Sequence, residues 1–187
     1  MATWQFHIYF IPQKALLHKY GYLPDQLKID KESWSAYISN SDLDEEPAFE
    51  DALTISWWLD LDINKNDFLP LLKPFGDIQK WTEQTNGIRS FGDSRNNDIT
   101  VCFNDNTHKV EEVSCRIDLR LPDKNFIGNV LSLAIKFECL LMDRQGRLYQ
   151  PTTTALLETI KLSNASRFVE NPEQFLENLT KGMVAPE

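Results

Sequence analysis

The sequence predicts an α+β fold in which an antiparallel-rich sheet has its helices packed mainly on one face. Two observations predict it. Strands with alternating apolar and polar residues are joined by short turns, which is typical of antiparallel pairing. Helical patterns follow these hairpins and do not alternate regularly with single strands, as they would in a doubly wound fold. Because 42% of the 187 residues are hydrophobic, one core can be filled, and we expect residues 1–187 to form a single domain.

The first strand is predicted by alternation near the start of the chain. Residues 4–10 alternate between apolar and polar side chains, and Pro12, which has no N–H to donate, is expected to end the strand. His7 falls on the polar side, where we expect a hydrogen-bonded surface residue and not a catalytic base. A short helix over residues 15–17 should then end at Gly21.

The next part of the chain mixes one clear pattern with two unclear ones. Residues 27–40 are ambiguous, although some of them alternate as in a strand. Residues 55–63 predict the clearest strand of the chain. Asp67 is a suitable cap for a short helix that Gly76 would end. Residues 77–97 are polar and show no sustained period, so they predict turns around one short strand.

A hairpin and the best helix follow. Residues 99–103 alternate, residues 104–107 are typical of a turn, and residues 113–121 continue the alternation on the returning strand. Asp123 can then cap a helix, because the apolar positions over residues 126–137 form a single stripe.

The last part adds a second hairpin and C-terminal helices. Residues 139–142 and 147–149 flank a glycine-containing turn, which predicts two short paired strands. Thr152 or Thr153 can cap the next helix. Pro172 stands where the first residue of the final helix is expected.

The charge balance narrows the classes of partner. The formal net charge is −9, whereas a nucleic-acid-binding protein needs a basic surface to neutralise phosphates, so we predict no nucleic-acid partner. An acidic surface also disfavours docking on anionic lipid, and we predict no membrane partner. A basic protein is the partner that this charge favours, while the oligomeric state is left open.

The cysteines indicate a reducing compartment. Cys102, Cys115 and Cys139 are odd in number and widely spaced, so they predict free thiols and not a disulfide framework or a metal clamp. Cys115 alternates with apolar neighbours and is expected to be buried. We expect no signal peptide, because Met1 leads directly into a strand pattern, and therefore a cytoplasmic location.

Motifs that carry chemistry are incomplete. Residues 87–94 have the glycine spacing of a phosphate-binding loop, but Asp93 stands where a lysine should pair with phosphate. Asp60, Asp62 and Asn64 resemble the start of a calcium loop that lacks its glycine and its bidentate acid. The three histidines are too widely separated to form a motif. We therefore predict no catalytic residue, no metal site and no cofactor.

One strand carries a charged row that could contact a ligand or a partner. Glu112, Ser114, Arg116, Asp118 and Arg120 share the face opposite the apolar residues of the second hairpin strand. A guanidinium between carboxylates can present a rigid donor fork to an acidic group. The simpler alternative is a solvated sheet face whose ion pairs each contribute less than ~1 kcal/mol.

An acidic segment is the second candidate surface. It combines six carboxylates with an apolar anchor, an arrangement that suits recognition of a basic protein, although a solvated loop is the simpler explanation. The predicted partner-binding residues are Asp42, Asp44, Glu45, Glu46, Phe49, Glu50 and Asp51.

The second half of the chain resembles a known class of proteins. The resemblance covers residues 99–181. It is carried by residues 99–103, by residues 110–120 and by residues 163–176, which follow the best helix and the second hairpin. They resemble small bacterial proteins of the immunity type from polymorphic toxin systems. The resemblance implies a cytoplasmic bacterial protein that binds another protein, and it assigns no functional residue here.

Three functions remain open on this basis. The first is a protein-binding module of the immunity type, whose acidic surface would cover the basic face of a toxin or nuclease. The second is a small enzyme or ligand-binding domain with a pocket over the face of Arg116, Asp118 and Arg120. The third is a structural subunit of a larger assembly.

Overall fold

The computed structural model describes residues 4–40 and 47–184. In these residues all the strands pair antiparallel in one sheet, in the order β2-β3-β4-β1-β5-β6, so the predicted α+β class is confirmed. The strands are β1 Gln5–Pro12, β2 Ile88–Gly92, β3 Asp98–Phe103, β4 Val110–Asp118, β5 Cys139–Met142 and β6 Leu148–Tyr149.

The helices of the described residues precede, interrupt and follow these strands. The α-helices are α1 Gln13–Tyr20, α2 Lys31–Asn40, α3 Lys65–Phe68, α4 Lys80–Glu83, α5 Lys124–Lys136, α6 Thr153–Lys161, α7 Asn164–Glu170 and α8 Pro172–Thr180. Two 3-10 helices cover Trp57–Leu61 and Leu69–Phe75. Three sequence predictions hold at helix ends: Gly21 takes a left-handed conformation after α1, and Asp123 and Thr152 cap α5 and α6.

The strand predicted over residues 55–63 is wrong. This segment forms the 3-10 helix Trp57–Leu61, in which the neighbouring residues Trp57 and Trp58 are both buried. A strand sends successive side chains to opposite faces and could not bury both on one side. Leu59, which the alternation placed in the core, is 45% exposed as a consequence.

Hydrogen bonds of the two indoles explain this departure. Trp58 Nε1 donates to the carbonyl oxygen of Phe10 on β1 at 2.8 Å, and Trp57 Nε1 donates to that of Ala52 at 2.8 Å. A buried indole needs such a partner, so the partners available in space decide the conformation. Asp62 ends the helix with a left-handed φ of 56°.

Two further helix starts differ from expectation. Asn64 and not Asp67 caps α3, because its side chain accepts a hydrogen bond from a backbone N–H of the first turn. The ambiguous residues 27–40 include a helix and no strand. Its start is marked by Asp30, whose carboxylate accepts from the backbone N–H of Ser33 at 3.1 Å.

The strand register places the core on one face of the sheet. Ile8 of β1 and Ile99 of β3 both lie opposite Cys115 of β4, so apolar side chains of three adjacent strands share a face. They belong to one cluster of buried residues that includes Phe126 and Val130 of α5 and extends to α6.

The cysteines are free thiols in the structure. Cys115 and Cys139 are buried and Cys102 is half-buried, so the predicted burial of Cys115 is confirmed. Burial raises the pKa of the Cys115 thiol well above its ordinary value, and the nearby Asp98 carboxylate adds to the effect.

Candidate ligand-binding site

The other face of the sheet is polar where β1 pairs with β4. Tyr9 lies opposite Ser114 and His7 lies opposite Arg116, while Glu112 continues the same row along β4. Because alternate residues of a strand share a face, these five side chains lie opposite the core face. They form the polar surface on which the candidate site is built.

A cavity of about 750 Å³ lies between this polar surface and α2, and we call it the α2 cavity. His7, Tyr9 and Glu112 form its sheet side. Its volume is within the range of small-molecule pockets, roughly 300–1,000 Å³. The remaining lining residues come from α2, the segments beside it and the β5–β6 turn: Ile29, Lys31, Trp34, Ser35, Ile38, Ser39, Leu53 and Arg144.

His7 is the most unusual side chain of the α2 cavity. Its ring stacks on Tyr9 with the centroids 4.6 Å apart, and its buried Nδ1 has no hydrogen-bond partner among the described residues. Burial lowers the pKa of His7 to about 3, and the positive charges of Arg144 and Arg116 add to the effect. His7 is therefore neutral at pH 7 and has an unused hydrogen-bonding atom.

The neighbouring acids are also held toward their uncharged forms. Burial raises the pKa of Glu112, against a smaller opposing effect of the hydrogen bond from Ser114. Burial, and next the charge of Glu112, raise the pKa of Tyr9 above its ordinary value. The sheet side of the cavity therefore suits hydrogen bonding with neutral groups.

The α2 side of the cavity is held in place by Asp51. Trp34 Nε1 donates to Asp51 Oδ2 at 2.6 Å, and Phe49 packs edge-on against the Trp34 ring at 5.1 Å. The carboxylate of Asp51 also accepts from the backbone N–H groups of Asp30 and Leu53. One buried carboxylate thus joins α2 to the chain on both sides of it.

These contacts show that the acidic segment is not uniformly exposed, as a partner-binding surface would be. Asp42, Asp44, Glu45 and Glu46 lie outside the described residues. Of the other predicted partner-binding residues, Asp51 is 4% exposed and satisfied internally, Phe49 is half-buried, and Glu50 is exposed and paired with Lys19 at 2.7 Å. Asp51 therefore acts inside the fold, whereas Glu50 lies at the surface.

The charged row of β4 is arranged differently from the predicted ladder. Arg116 pairs across the sheet with Asp98 of β3, with its Nε 2.8 Å from Oδ1. Arg120 pairs with Asp118 two residues earlier, with its Nη2 2.6 Å from Oδ2. Glu112 is not part of either pair and lies in the α2 cavity.

Both paired carboxylates are buried. Asp98 and Asp118 are each 1% exposed, whereas their arginines remain partly accessible. The hydrogen bond to Asp98 raises the pKa of Arg116, and the hydrogen bond from Arg120 lowers the pKa of Asp118. Arg116 and Asp118 are therefore charged at neutral pH, in contrast to His7 on the same face.

Sequence reasoning missed part of this site. His7 and Tyr9 alternate on β1, which was a signal that they share a face, but nothing in the sequence placed β1 beside β4. Trp34 and Arg144 reach the α2 cavity from a helix and from a turn that are distant along the chain. For Trp34, Asp30 offered a weak indication of a helix start, because aspartate is a favoured N-cap residue.

Comparisons with known proteins leave the site to be interpreted from its own geometry. The chain matches no protein-family model, and the comparisons with curated proteins and with solved structures give no match either. The resemblance to immunity-type proteins therefore stays a prediction. Within residues 4–40 and 47–184, no helix has both the length and the apolar character that a membrane crossing requires.

Proposed function

We propose that this protein binds a small organic molecule in the α2 cavity. The observation that carries the proposal is the buried Nδ1 of His7, which lacks a hydrogen-bond partner among the described residues although His7 lines the cavity. An unsatisfied buried polar group costs about 1–3 kcal/mol. A ligand that hydrogen bonds to this atom would remove that cost, and the recovered free energy would favour binding.

The cavity walls indicate the class of ligand. Trp34, Ile38 and Leu53 offer apolar and aromatic surface to a flat apolar body, while His7 and Glu112 offer hydrogen bonds at the sheet. Lys31 and Arg144 add positive charge to the lining. A molecule with an aromatic or apolar body and a neutral or acidic polar group therefore fits better than a cation.

Binding is better supported than proton-transfer catalysis. A general base is most effective when its pKa lies near the working pH. The pKa of His7, lowered to about 3, is far from neutral pH, so this imidazole is a poor base but a good neutral hydrogen-bonding group. The enzyme alternative therefore ranks below a ligand-binding domain.

Ligand-observed NMR with a set of aromatic carboxylic acids and phenols tests the proposal. Ser35→Trp would fill the cavity from α2, and Ala36→Trp is the matched control, because Ala36 is exposed on the same helix and does not line the cavity. We expect at least one compound to bind with a Kd below about 1 mM, and only Ser35→Trp to abolish binding. Equal binding to both variants, or no binding by any compound, would refute the proposal.

A protein-binding function is the second candidate, and an exposed aromatic patch favours it. Leu17 and Tyr20 of α1, Tyr22 of the following turn and Leu59 of the adjoining 3-10 helix are all more than one-third exposed. The Tyr20 ring lies 6.3 Å from that of Tyr22. Tyrosines are enriched at binding hot spots, and the net charge of −9 favours a basic partner.

Affinity capture with matched variants tests this second candidate. Tyr22→Ser removes the most exposed aromatic ring of the patch, and Leu176→Ser removes an exposed apolar residue of α8 as the control. We expect a basic protein to be captured by the natural chain and by Leu176→Ser, and to be lost with Tyr22→Ser. Under the immunity hypothesis, that protein is a toxin whose activity the natural chain inhibits. A captured protein that is retained equally by both variants would count against the patch.

A further inference from the structure

A second cavity lies at the other end of the polar sheet face, and we call it the arginine cavity. Its volume is about 640 Å³, and it shares no lining residue with the α2 cavity. It is lined by Trp4, Gln5, Arg116, Arg120 and the loop of residues 93–96. Strands β1 and β4 and the β2–β3 loop therefore meet around one concave surface.

The arginines present hydrogen-bond donors to this cavity. Arg116 uses Nε and Nη2 to bind Asp98, and Arg120 uses Nε and Nη2 to bind Asp118. Within the described part of the chain, the Nη1 of neither arginine has a hydrogen-bond partner. Arg120 Nη2 also donates to the carbonyl oxygen of Arg95 at 3.3 Å. The carboxylates thus hold both guanidinium groups rigidly, while the Nη1 of each can still donate to a carboxylate.

Trp4 and Arg95 add two further donors. The guanidinium of Arg120 lies 4.2 Å from the centre of the Trp4 ring, which fixes the indole beside the cavity. The buried Nε1 of Trp4 has no hydrogen-bond partner in residues 4–40 and 47–184. Arg95 is exposed, and its side chain likewise makes no hydrogen bond or ion pair with the described residues.

Gln5 presents a buried acceptor. It is 9% exposed, and its Nε2 donates to the carbonyl oxygens of Ser94 at 3.1 Å and Asn96 at 2.7 Å. Since both of these partners are acceptors, the amide nitrogen must face them, and Oε1 is the remaining atom. That oxygen is buried and has no partner among the residues that the structure describes. Two residues that line the cavity, Trp4 and Gln5, therefore each have a buried polar atom without a partner among the described residues, one a donor and one an acceptor.

The charges around the arginine cavity balance. Its three arginines are matched by three carboxylates that line it or pair with its arginines: Asp93, Asp98 and Asp118. A dianion such as phosphate would therefore meet no excess of positive charge. A ligand with one acidic group and one N–H donor group fits both kinds of unsatisfied atom.

We propose that the arginine cavity binds a small zwitterion of the α-amino acid type. The carboxylate of the ligand accepts hydrogen bonds from the arginines and from Trp4 Nε1, and its ammonium group donates to Gln5 Oε1. This site is independent of the α2 cavity, so either can fail without the other.

Titration of the full chain with the twenty common L-amino acids, followed by ¹⁵N-HSQC NMR, tests the proposal. We expect at least one amino acid to shift the resonances of the Trp4 indole and of the 93–96 loop. Its N-acetyl derivative lacks the ammonium group and its C-terminal amide lacks the carboxylate, so each should bind at least about tenfold more weakly. The proposal is overturned if no amino acid binds at 10 mM (on the order of the weakest specific affinities), if both derivatives bind equally well, or if inorganic phosphate binds more tightly.

A matched pair of arginine variants locates the binding. Arg95→Gln removes one cavity donor, and Arg167→Gln removes an exposed arginine of α7 that is outside the cavity. Because both side chains are exposed and make no ion pair with the described residues, both variants should fold, which circular dichroism verifies. We expect about a tenfold loss of amino-acid affinity for Arg95→Gln and none for Arg167→Gln. Equal affinity of the two variants would place the ligand elsewhere and overturn the assignment.

Discussion

Ionisable groups at the two ends of the polar sheet face differ in which form, charged or neutral, their surroundings favour. At the α2 cavity, burial disfavours the charged forms of His7 and Glu112. At the arginine cavity, the carboxylates of Asp98 and Asp118 are each hydrogen-bonded to an arginine, and the hydrogen bond from Arg120 lowers the pKa of Asp118. His7 lies directly opposite Arg116, so a group held neutral and a group held charged form one cross-strand pair.

The difference shows that burial alone does not decide the charge state of a group. A buried charge is tolerated when an opposite charge and hydrogen bonds replace water, and it is suppressed where they are missing. Asp98 has its partner on the adjacent strand and Asp118 has one two residues away. His7 has cations as neighbours, which act in the same direction as burial.

The largest expected effect comes from breaking a buried pair. Asp98→Asn leaves Arg116 without its carboxylate and should lower the free energy of unfolding by about 3–5 kcal/mol, as measured by urea denaturation. Asp67→Asn, at an exposed site on α3, should change it by less than about 0.5 kcal/mol. A loss below about 1 kcal/mol for Asp98→Asn would mean that the pair behaves as a surface pair, and the comparison of the two ends would fail.

A second prediction concerns the contribution of His7 to the pH dependence of the free energy of unfolding. Its folded pKa of about 3 lies below the ordinary 6.5, so the unfolded chain binds the extra proton first and stability is lost as the pH falls from about 6.5 towards 3. The slope is at most about 1.4 kcal/mol per pH unit, and the loss reaches about 2 kcal/mol at pH 5. His7→Phe, which keeps a ring against Tyr9, should remove this loss in urea titrations at pH 7 and pH 5.

The difference in slope between the natural chain and His7→Phe is the quantity that tests this prediction. Glu112 titrates in the opposite sense because its pKa is raised. It is present in both the natural chain and the His7→Phe variant, so the difference between them isolates His7. Identical slopes for these two proteins would show that His7 is solvated in the folded state.

The smallest expected effect is a gain in stability at Glu112. The folded pKa of this group is raised, so its carboxylate form costs stability above the ordinary pKa and the cost disappears in acid. Glu112→Gln should therefore stabilise the chain at pH 7 by about 0.5–1 kcal/mol and have no effect near pH 3.5. Thermal unfolding at both pH values measures this.

Glu111→Gln is the matched control, because Glu111 is the adjacent residue of β4 and accepts a hydrogen bond from Asn104 that glutamine can also accept. No gain is expected from it. A loss of stability in Glu112→Gln at pH 7 would indicate that Glu112 has a cationic partner. Both ends of the polar face would then contain carboxylates paired with cations.

Local patterns predicted the hairpin strands and failed on residues 55–63. The alternation of β4 was informative because the strand is paired on both edges and one of its faces lies against the buried core. The alternation around Trp57 and Trp58 was equally regular, but the hydrogen bonds of their indoles to Ala52 and Phe10 required another conformation. A hydropathy pattern records the polarity of each residue and not the position of its hydrogen-bond partner.

The sequence by itself determined the α+β class, the helix caps at Asp123 and Thr152, and the faces of β4 to which Cys115 and Arg116 belong. These features depend on interactions between residues a few positions apart. Only the tertiary structure decided that β1 lies between β4 and β5, which places His7 beside Arg116 and both cavities on one sheet face. Backbone hydrogen bonds between strands are the same for almost any sequence, so the choice of neighbour depends on packing of the whole chain and cannot be read from a local pattern.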